Sequence, residues 1–474
     1  MISAPDTRAL PLPGTPGAAQ SALSRAWQRL APGFPWLLFA ITWVATLILE
    51  GRMDAPSTWG ENQTVSDLAL GASDGSLSRR IVIVFLGGVG ALLLRRYSGR
   101  YRIHGVLALL LSLYIGWIGL SAVWADDPSL AFRRLVAFGL MFIFAAGCAA
   151  RMNADSLSLF IAGVPALTLI PGLIAELRYG FSPFGANSRF TGTAVHPNVQ
   201  AAYLAVAGII LCWFVWRVGR EARFRVGMIS AIVLVFLVLT RSRTSIAAVG
   251  AALLFSVFLV MARDFRRRLP ALAAALLLFA GLGGVLDAVI ASGSSSSAGI
   301  LSIVRAGRDD ADSTPFNGRV DLWRTCLGYA AERPWTGYGY GSFWSAKRIE
   351  DISAEEGWAL EQSHSAYIDQ LLALGVPGAA LYVLVLLGCF SACIVRFFRH
   401  EDTYGAWAAV LFFIALHNAT ESTDIMPLYT NFAFHLIVLH TAWIRPGSPS
   451  RARLPLAEGL AGGWTNLRKR ATDG

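Results

Sequence analysis

Long apolar runs, each followed by a short polar gap, recur along most of this chain. A helix needs roughly 20 apolar residues to cross a bilayer, and the runs predict about twelve such helices. They fall at 34–50, 81–94, 105–123, 133–150, 157–176, 198–216, 226–240, 245–262, 269–290, 376–395, 405–418 and 429–444. The fold class that follows is an all-α polytopic membrane protein with one long polar loop. Residues 1–33 form an N-terminal tail, 34–290 carry spans one to nine, 291–375 are the long loop, 376–445 carry the last three spans, and 446–474 are a basic tail. Within "AIVLVFLVLTRSRTSIAAVGAALLF" (231–255) a four-residue polar gap separates two apolar runs, and it holds Arg241 and Arg243.

Composition agrees with the pattern. Only 15% of the 474 residues are charged, against about 25% in soluble domains, and the mean hydropathy is +0.53. The formal charge of +10 does not imply nucleic-acid binding, because short arginine-rich loops are what the positive-inside rule produces. Cys148, Cys212, Cys389 and Cys393 lie in apolar spans, where cysteine acts as a small hydrophobe. With Cys326 they suit neither a zinc site nor a disulfide framework. Residues 1–33 lack the apolar core of a cleavable signal peptide, so the first span is expected to serve for targeting.

Charge then sets an expected orientation. Arg95, Arg96, Arg100 and Arg102 lie in one gap, Arg217, Arg220, Arg223 and Arg225 in another, and Arg263, Arg266, Arg267 and Arg268 in a third. Arg396, Arg399 and the "NLRKR" tail add to them. With twelve spans all of these share one side with both termini, which the rule makes cytoplasmic; Arg79 and Arg80 are the exception. The "RSRT" gap then faces outward, as does the long loop, which opens with a flexible "ASGSSSSAG" linker.

Four outward segments carry the candidate chemistry: "NSRFTGTAVHPN" (187–198), "TRSRT" (240–244), the long loop, and "HNATEST" (417–423). Arg241, Arg243 and Arg319 offer planar forks suited to bidentate phosphate contacts. Singly, each could instead snorkel to headgroups or pair with Asp309 or Asp321. Several on the disfavoured face point to a bound anion. His364, after Glu361 and before an apolar helix, is either a proton acceptor near neutral pH or a helix-start residue bonded to backbone. His196 in "HPN" reads as a turn residue ahead of the sixth span or as a catalytic group. His417 and Glu421, one turn apart, form either a second polar pair or a helix-end brace. "GYGYG" (337–341) is a poor phosphate loop, with no strand before it and no Gly-Lys-Ser/Thr after it; a tight turn with aromatic walls, a sugar-stacking surface, fits better. No acidic pair has metal-ligand spacing.

In their order, "TGTAVHPN", "SRTS", "GRVDLW…RPWTGYGYGSFW", "HSAYIDQLLALGVPG" and "HNATEST" resemble the O-antigen ligase and polysaccharide polymerase superfamily, and most of all its exopolysaccharide polymerases. The resemblance spans about 187–423; residues 1–180 match in hydropathy alone. It implies a fold similar to C-type glycosyltransferases, located in the bacterial inner membrane with a periplasmic active site. It also implies transfer of a glycan from an undecaprenyl-diphosphate-linked oligosaccharide to a sugar hydroxyl, without cofactor or metal. Polymerases accept on another carrier-linked repeat unit; ligases accept on lipid A–core sugar. Partners implied are that lipid-linked oligosaccharide, the bilayer, and export proteins such as a flippase or chain-length regulator.

The family's diphosphate-binding arginine roles fall on Arg243 and Arg319, with Arg241 and Arg189 beside them, and its catalytic histidine role on His364. His196, Asn198, Tyr338, His417 and Glu421 are acceptor-side or supporting candidates. Where family members carry His-Asn, this chain has His364-Ser365, so an amide contact to the acceptor is expected to be missing. Arginines preset where leaving-group charge develops stabilise it, and a base opposite the leaving group predicts inversion. The competing readings are a ligase of the same chemistry and, from another class, a lipid-linked glycan transporter or flippase, which would place charges at midplane on broken or repeated helices.

Overall fold

The computed structural model describes residues 34–50, 64–66, 68–69, 76–95, 105–178, 189–194, 196–263, 319–422 and 429–443. The expected ninth span (269–290), the serine-rich linker, Asp309 and both tails lie outside the described residues.

Eleven of the expected spans appear as helices. They are α1 (Phe34–Glu50), α2 (Leu77–Arg95), α3 (Val106–Leu120), α4 (Pro128–Arg151), α5 (Ala154–Arg178), α6 (Pro197–Arg217), α7 (Arg220–Leu239) and α8 (Arg243–Arg263), then α11 (Ala366–Phe398), α12 (Thr403–His417) and α13 (Tyr429–Trp443). Eight helices among the described residues are long and apolar enough to cross a membrane, and three shorter apolar helices accompany them. The chain is an all-α, polytopic membrane protein.

Small residues set the closest helix contacts. A Cβ on Gly90 of α2 would stand 2.5 Å from Phe144 Cα, and one on Gly147 of α4 would stand 2.7 Å from Gly90 O. Backbones meet directly there, as expected where lipid supplies no hydrophobic drive between helices. α6 is buried along most of its length and is the bundle's central post.

The described part of the long loop, residues 319–375, is largely helical. It contributes α9 (Arg319–Glu332) and α10 (Ala346–Glu356), which close a second apolar core around Leu322, Cys326, Phe343, Trp344, Ile349 and Leu360. Each such side chain contributes roughly 1.5–3 kcal/mol by leaving water.

α11 starts ten residues before its expected beginning and is broken at Gly375 (φ 65, ψ −175). The break frees the carbonyls of Leu372, Ala373 and Leu374. They accept from Tyr338 N at 2.8 Å, Gly339 N at 2.9 Å and Trp117 Nε1 at 2.9 Å. Buried backbone groups must be paired somewhere, and here the "GYGYG" segment pairs them. Gly337, Gly339 and Gly341 all have positive φ, and a Cβ on Gly337 would stand 2.6 Å from Gly375 N. The turn is tight as expected, but its aromatic side chains are not a sugar-stacking surface. Tyr338, Tyr340, Phe343 and Trp344 are at most 5% exposed, because the glycine turns fold them into the two apolar cores.

Candidate active site at one end of the bundle

Pieces far apart in sequence meet at one bundle end. His196 (φ −148) caps α6, its Nδ1 accepting from Asn198 N at 3.1 Å, with Pro197 in the first turn. Of its two sequence readings, this is the turn residue. The cap requires an unprotonated Nδ1, and burial together with nearby Arg189 lowers the His196 pKa to about 3.

Asn198, the second residue of α6, bridges two charges. Its Oδ1 accepts from Arg189 Nη2 at 2.7 Å, and its Nδ2 donates to Glu421 Oε1 at 2.8 Å. Arg189 Nε also donates to Thr240 O at 3.1 Å, tying this segment to the "TRSRT" turn. Phe190 N reinforces the link by donating to Leu239 O at 2.9 Å.

Arg319 opens α9, where the helix dipole disfavours a cation. A stronger partner offsets this: Nη2 donates to Glu421 Oε1 at 2.8 Å, and Nη1 donates to Thr420 O. The carboxylate it takes is not Asp321, one of the alternative partners the sequence offered, which pairs with Arg324 at 2.6 Å. His364 Nδ1 stands 3.4 Å from the other oxygen, Glu421 Oε2. Glu421 is thus the hub, one buried carboxylate shared by a guanidinium, an imidazole and an amide. Burial by itself would raise its pKa; the hydrogen bond with His364 and the charge of Arg319 outweigh burial and hold it below the ordinary carboxylate value.

His364 is held in a left-handed conformation (φ 53), uncommon for a residue with a Cβ. The segment around it is heavily pinned. Ser363 O accepts from Trp323 Nε1 at 3.0 Å, Ser363 N donates to Asp369 Oδ1 at 3.2 Å, and Ala366 N donates to Asn418 O at 3.0 Å. The imidazole stacks on Trp358, with ring centroids 5.4 Å apart. A strained residue fixed by its neighbours is common at functional sites.

The other candidates are placed differently. Arg241 also has positive φ (53) and is buried, whereas Arg243, at the start of α8, is exposed. His417 and Glu421 are linked through the backbone, Glu421 N donating to His417 O at 2.9 Å, as in the helix-end reading; the His417 Nε2 lies 3.0 Å from Ser245 Oγ, itself bonded to Ser242 Oγ at 3.0 Å, so the ring braces the arginine turn. Tyr338 is outside the cluster. Its hydroxyl lies within hydrogen-bond distance of two acceptors, Glu332 Oε2 at 2.8 Å and Tyr329 O at 2.9 Å, which share its one proton, and the Arg348 guanidinium lies 4.3 Å from its ring centroid. It packs the loop core. Among the described residues no group of three or more His, Cys, Asp or Glu side chains is arranged to hold a metal ion.

Sequence reasoning found Glu421 as a supporting candidate but not as the hub, and it missed Trp358 and Asp369. Glu421 meets partners 57, 102 and 223 residues away, separations that no local pattern reveals.

Fold and site define a class: a multi-pass helical membrane protein with a buried arginine–histidine–carboxylate cluster at one end of its bundle. Residues 228–383 match the model of a family described as O-antigen ligase. The match supports the resemblance to the O-antigen ligase and polysaccharide polymerase superfamily, and an activity of the ligase or polymerase type follows at that coarse level. The matched segment holds Arg241, Arg243, Arg319 and His364 and ends before Glu421. No curated protein matches the chain.

Proposed function

We propose that this protein polymerises polysaccharide repeat units at the periplasmic face of the bacterial inner membrane, taking each glycan from an undecaprenyl-diphosphate carrier. The observation that carries the reading is that an anion-binding side chain, Arg319, and a base, His364, share the two oxygens of Glu421.

With a proton on Nδ1 donated to Glu421, His364 turns the Nε2 lone pair toward the acceptor hydroxyl. Nε2 takes the hydroxyl proton as its oxygen attacks the anomeric carbon. The bond from that carbon to the phosphate oxygen breaks, and its electron pair leaves with the lipid diphosphate. Glu421 stabilises the imidazolium that forms, as a carboxylate behind a histidine base does in other enzymes. Arg319 and Arg243, with Arg241 in the same turn as Arg243 and Arg189 bonded to that turn at Thr240 O, stabilise the charge on the leaving group. Attack opposite the diphosphate inverts the anomeric centre. The polyprenyl tail keeps the diphosphate at the membrane surface, which is why the arginines belong at span mouths.

The direct test is turnover by the purified protein of synthetic diphosphate-linked repeat units without added nucleotide. Lengthened product supports the reading, and movement of the lipid-linked glycan across vesicles without lengthening would sink it in favour of a transporter. A ligase shares every step up to the acceptor, and the description of the matching family favours that second reading. Deleting the gene separates the two. Single repeats without long chains mark a polymerase; carrier-bound polymer beside bare lipid A–core marks a ligase.

A further inference from the structure

Trp358 has no part in the reaction as described above. α10 ends at Gly357, which is left-handed (φ 78) with its N–H on Ser353 O. Two residues past Trp358, Leu360 is 1% exposed and donates its N–H to Ser353 Oγ at 3.0 Å. Trp358 is therefore strung between two anchored points, yet it remains 36% exposed. The aromatic residues of 338–344 are buried, whereas Trp358, like Trp335 earlier in the loop, keeps an exposed face.

Its indole stacks on the His364 imidazole at an interplanar angle of 21° with centroids 5.4 Å apart. Carbon atoms in contact stand about 3.5–4.0 Å apart, so a centroid separation of 5.4 Å means the indole is displaced sideways and overhangs the imidazole. Glu361 and Gln362, both half-buried, follow in the same short segment. An exposed aromatic face suits a pyranose, which has a C–H face to lay on it and a rim of hydroxyls for polar groups of the same segment.

We propose that Trp358 is the platform for the acceptor sugar, its overhanging face packing against the C–H face of a pyranose whose hydroxyl reaches His364 Nε2. Glu361 and Gln362 then receive the neighbouring hydroxyls. The proposal rests on the reading of His364 as the base. An attacking hydroxyl has to come within about 2.6–3.2 Å of that nitrogen, and the ring that carries it cannot avoid the side chain flanking the imidazole. Trp358 is accordingly a specificity-determining residue for the acceptor and has no contact with the diphosphate.

The test uses the purified full-length protein, synthetic diphosphate-linked donor, and as varied acceptor the oligosaccharides released by partial hydrolysis of the cell's own polysaccharide. Trp358→Ala is expected to raise the acceptor KM at least tenfold, leave the donor KM within twofold, and leave the pH profile unmoved; Trp358→Phe recovers most of the loss. A fall in kcat with a shifted pH profile and an unchanged acceptor KM would mean that the indole merely holds His364, and would overturn the proposal. A second readout is the fluorescence difference between wild type and Trp358→Phe in vesicles of phosphatidylethanolamine and phosphatidylglycerol. Response to the oligosaccharide supports the platform. Quenching by brominated acyl chains without such a response makes Trp358 a lipid-interface anchor and overturns it. If His364→Ala keeps full activity, the base reading fails by itself, and the acceptor KM of Trp358→Ala still reports on the platform.

Discussion

At the bundle end where α5, α6, α8 and α12 meet, Arg217 donates to Asp155 at 2.6 Å and Arg263 pairs with Asp402. These four side chains are between 22% and 41% exposed. At the opposite end Arg319 and Glu421 are 17% and 6% exposed, and the one carboxylate also receives His364 and Asn198. The first arrangement matches each cation with an acid in reach of water, where such pairs contribute about 0–1 kcal/mol. The second gathers donors around a single buried carboxylate, an arrangement costly to desolvate and a weak source of stability. Charges kept under those terms are best explained by what they bind or move. The same residue types do unlike work at the two ends because burial and the count of acids differ.

The largest expected effect is on catalysis. His364→Ala should lower product formation by about 10²–10⁴-fold, while Arg263→Ala at the opposite end should leave it within twofold, both assayed on purified protein at equal concentration. Equal losses would erase the distinction between the ends. Next is stability. Glu421→Leu leaves the partly buried Arg319 without its carboxylate and should cost up to about 3 kcal/mol, read as a lowered midpoint of chemical unfolding in detergent.

The third prediction concerns pH. His196 has a folded-state pKa of about 3, below its ordinary 6.5, so as pH falls the unfolded chain takes up the proton first. Stability should drop by about 1.4 kcal/mol per pH unit below that ordinary value, and His196→Asn, which keeps a cap acceptor, should flatten the slope. Glu421 has the opposite sign: held below its ordinary 4.5, it contributes fully above that pH and loses its contribution only in stronger acid. Between pH 7 and 5 His196 therefore adds to the slope and Glu421 does not. The smallest effect is at the exposed end, where Asp402→Asn should cost about 1 kcal/mol or less. Added salt should shrink even that difference.

Much of the scaffold was readable along the chain. Eleven expected spans coincide with helices, because a bilayer imposes length and apolarity on each segment by itself. A helix after His364 was readable, but the span was expected only from 376, since the first turns of α11 carry Asp369 and Gln370, polar side chains that hydropathy counts as loop. Asp369 is buried by accepting from Trp344 Nε1 at 2.9 Å and from Ser422 Oγ. Tyr338 misled for a related reason. An aromatic between glycines looks exposed, and only the packing of the loop against the break at Gly375 shows that it is not.

The sequence by itself determined that this chain is a membrane bundle and which segments carry arginine and histidine, because hydropathy and residue type are local properties. The tertiary structure alone decided that Glu421 joins Arg319, His364 and Asn198 and that Trp358, not the "GYGYG" aromatics, stays open beside the histidine. Contacts between residues brought together from distant segments depend on how helices pack, and helix packing is written in no single stretch of sequence.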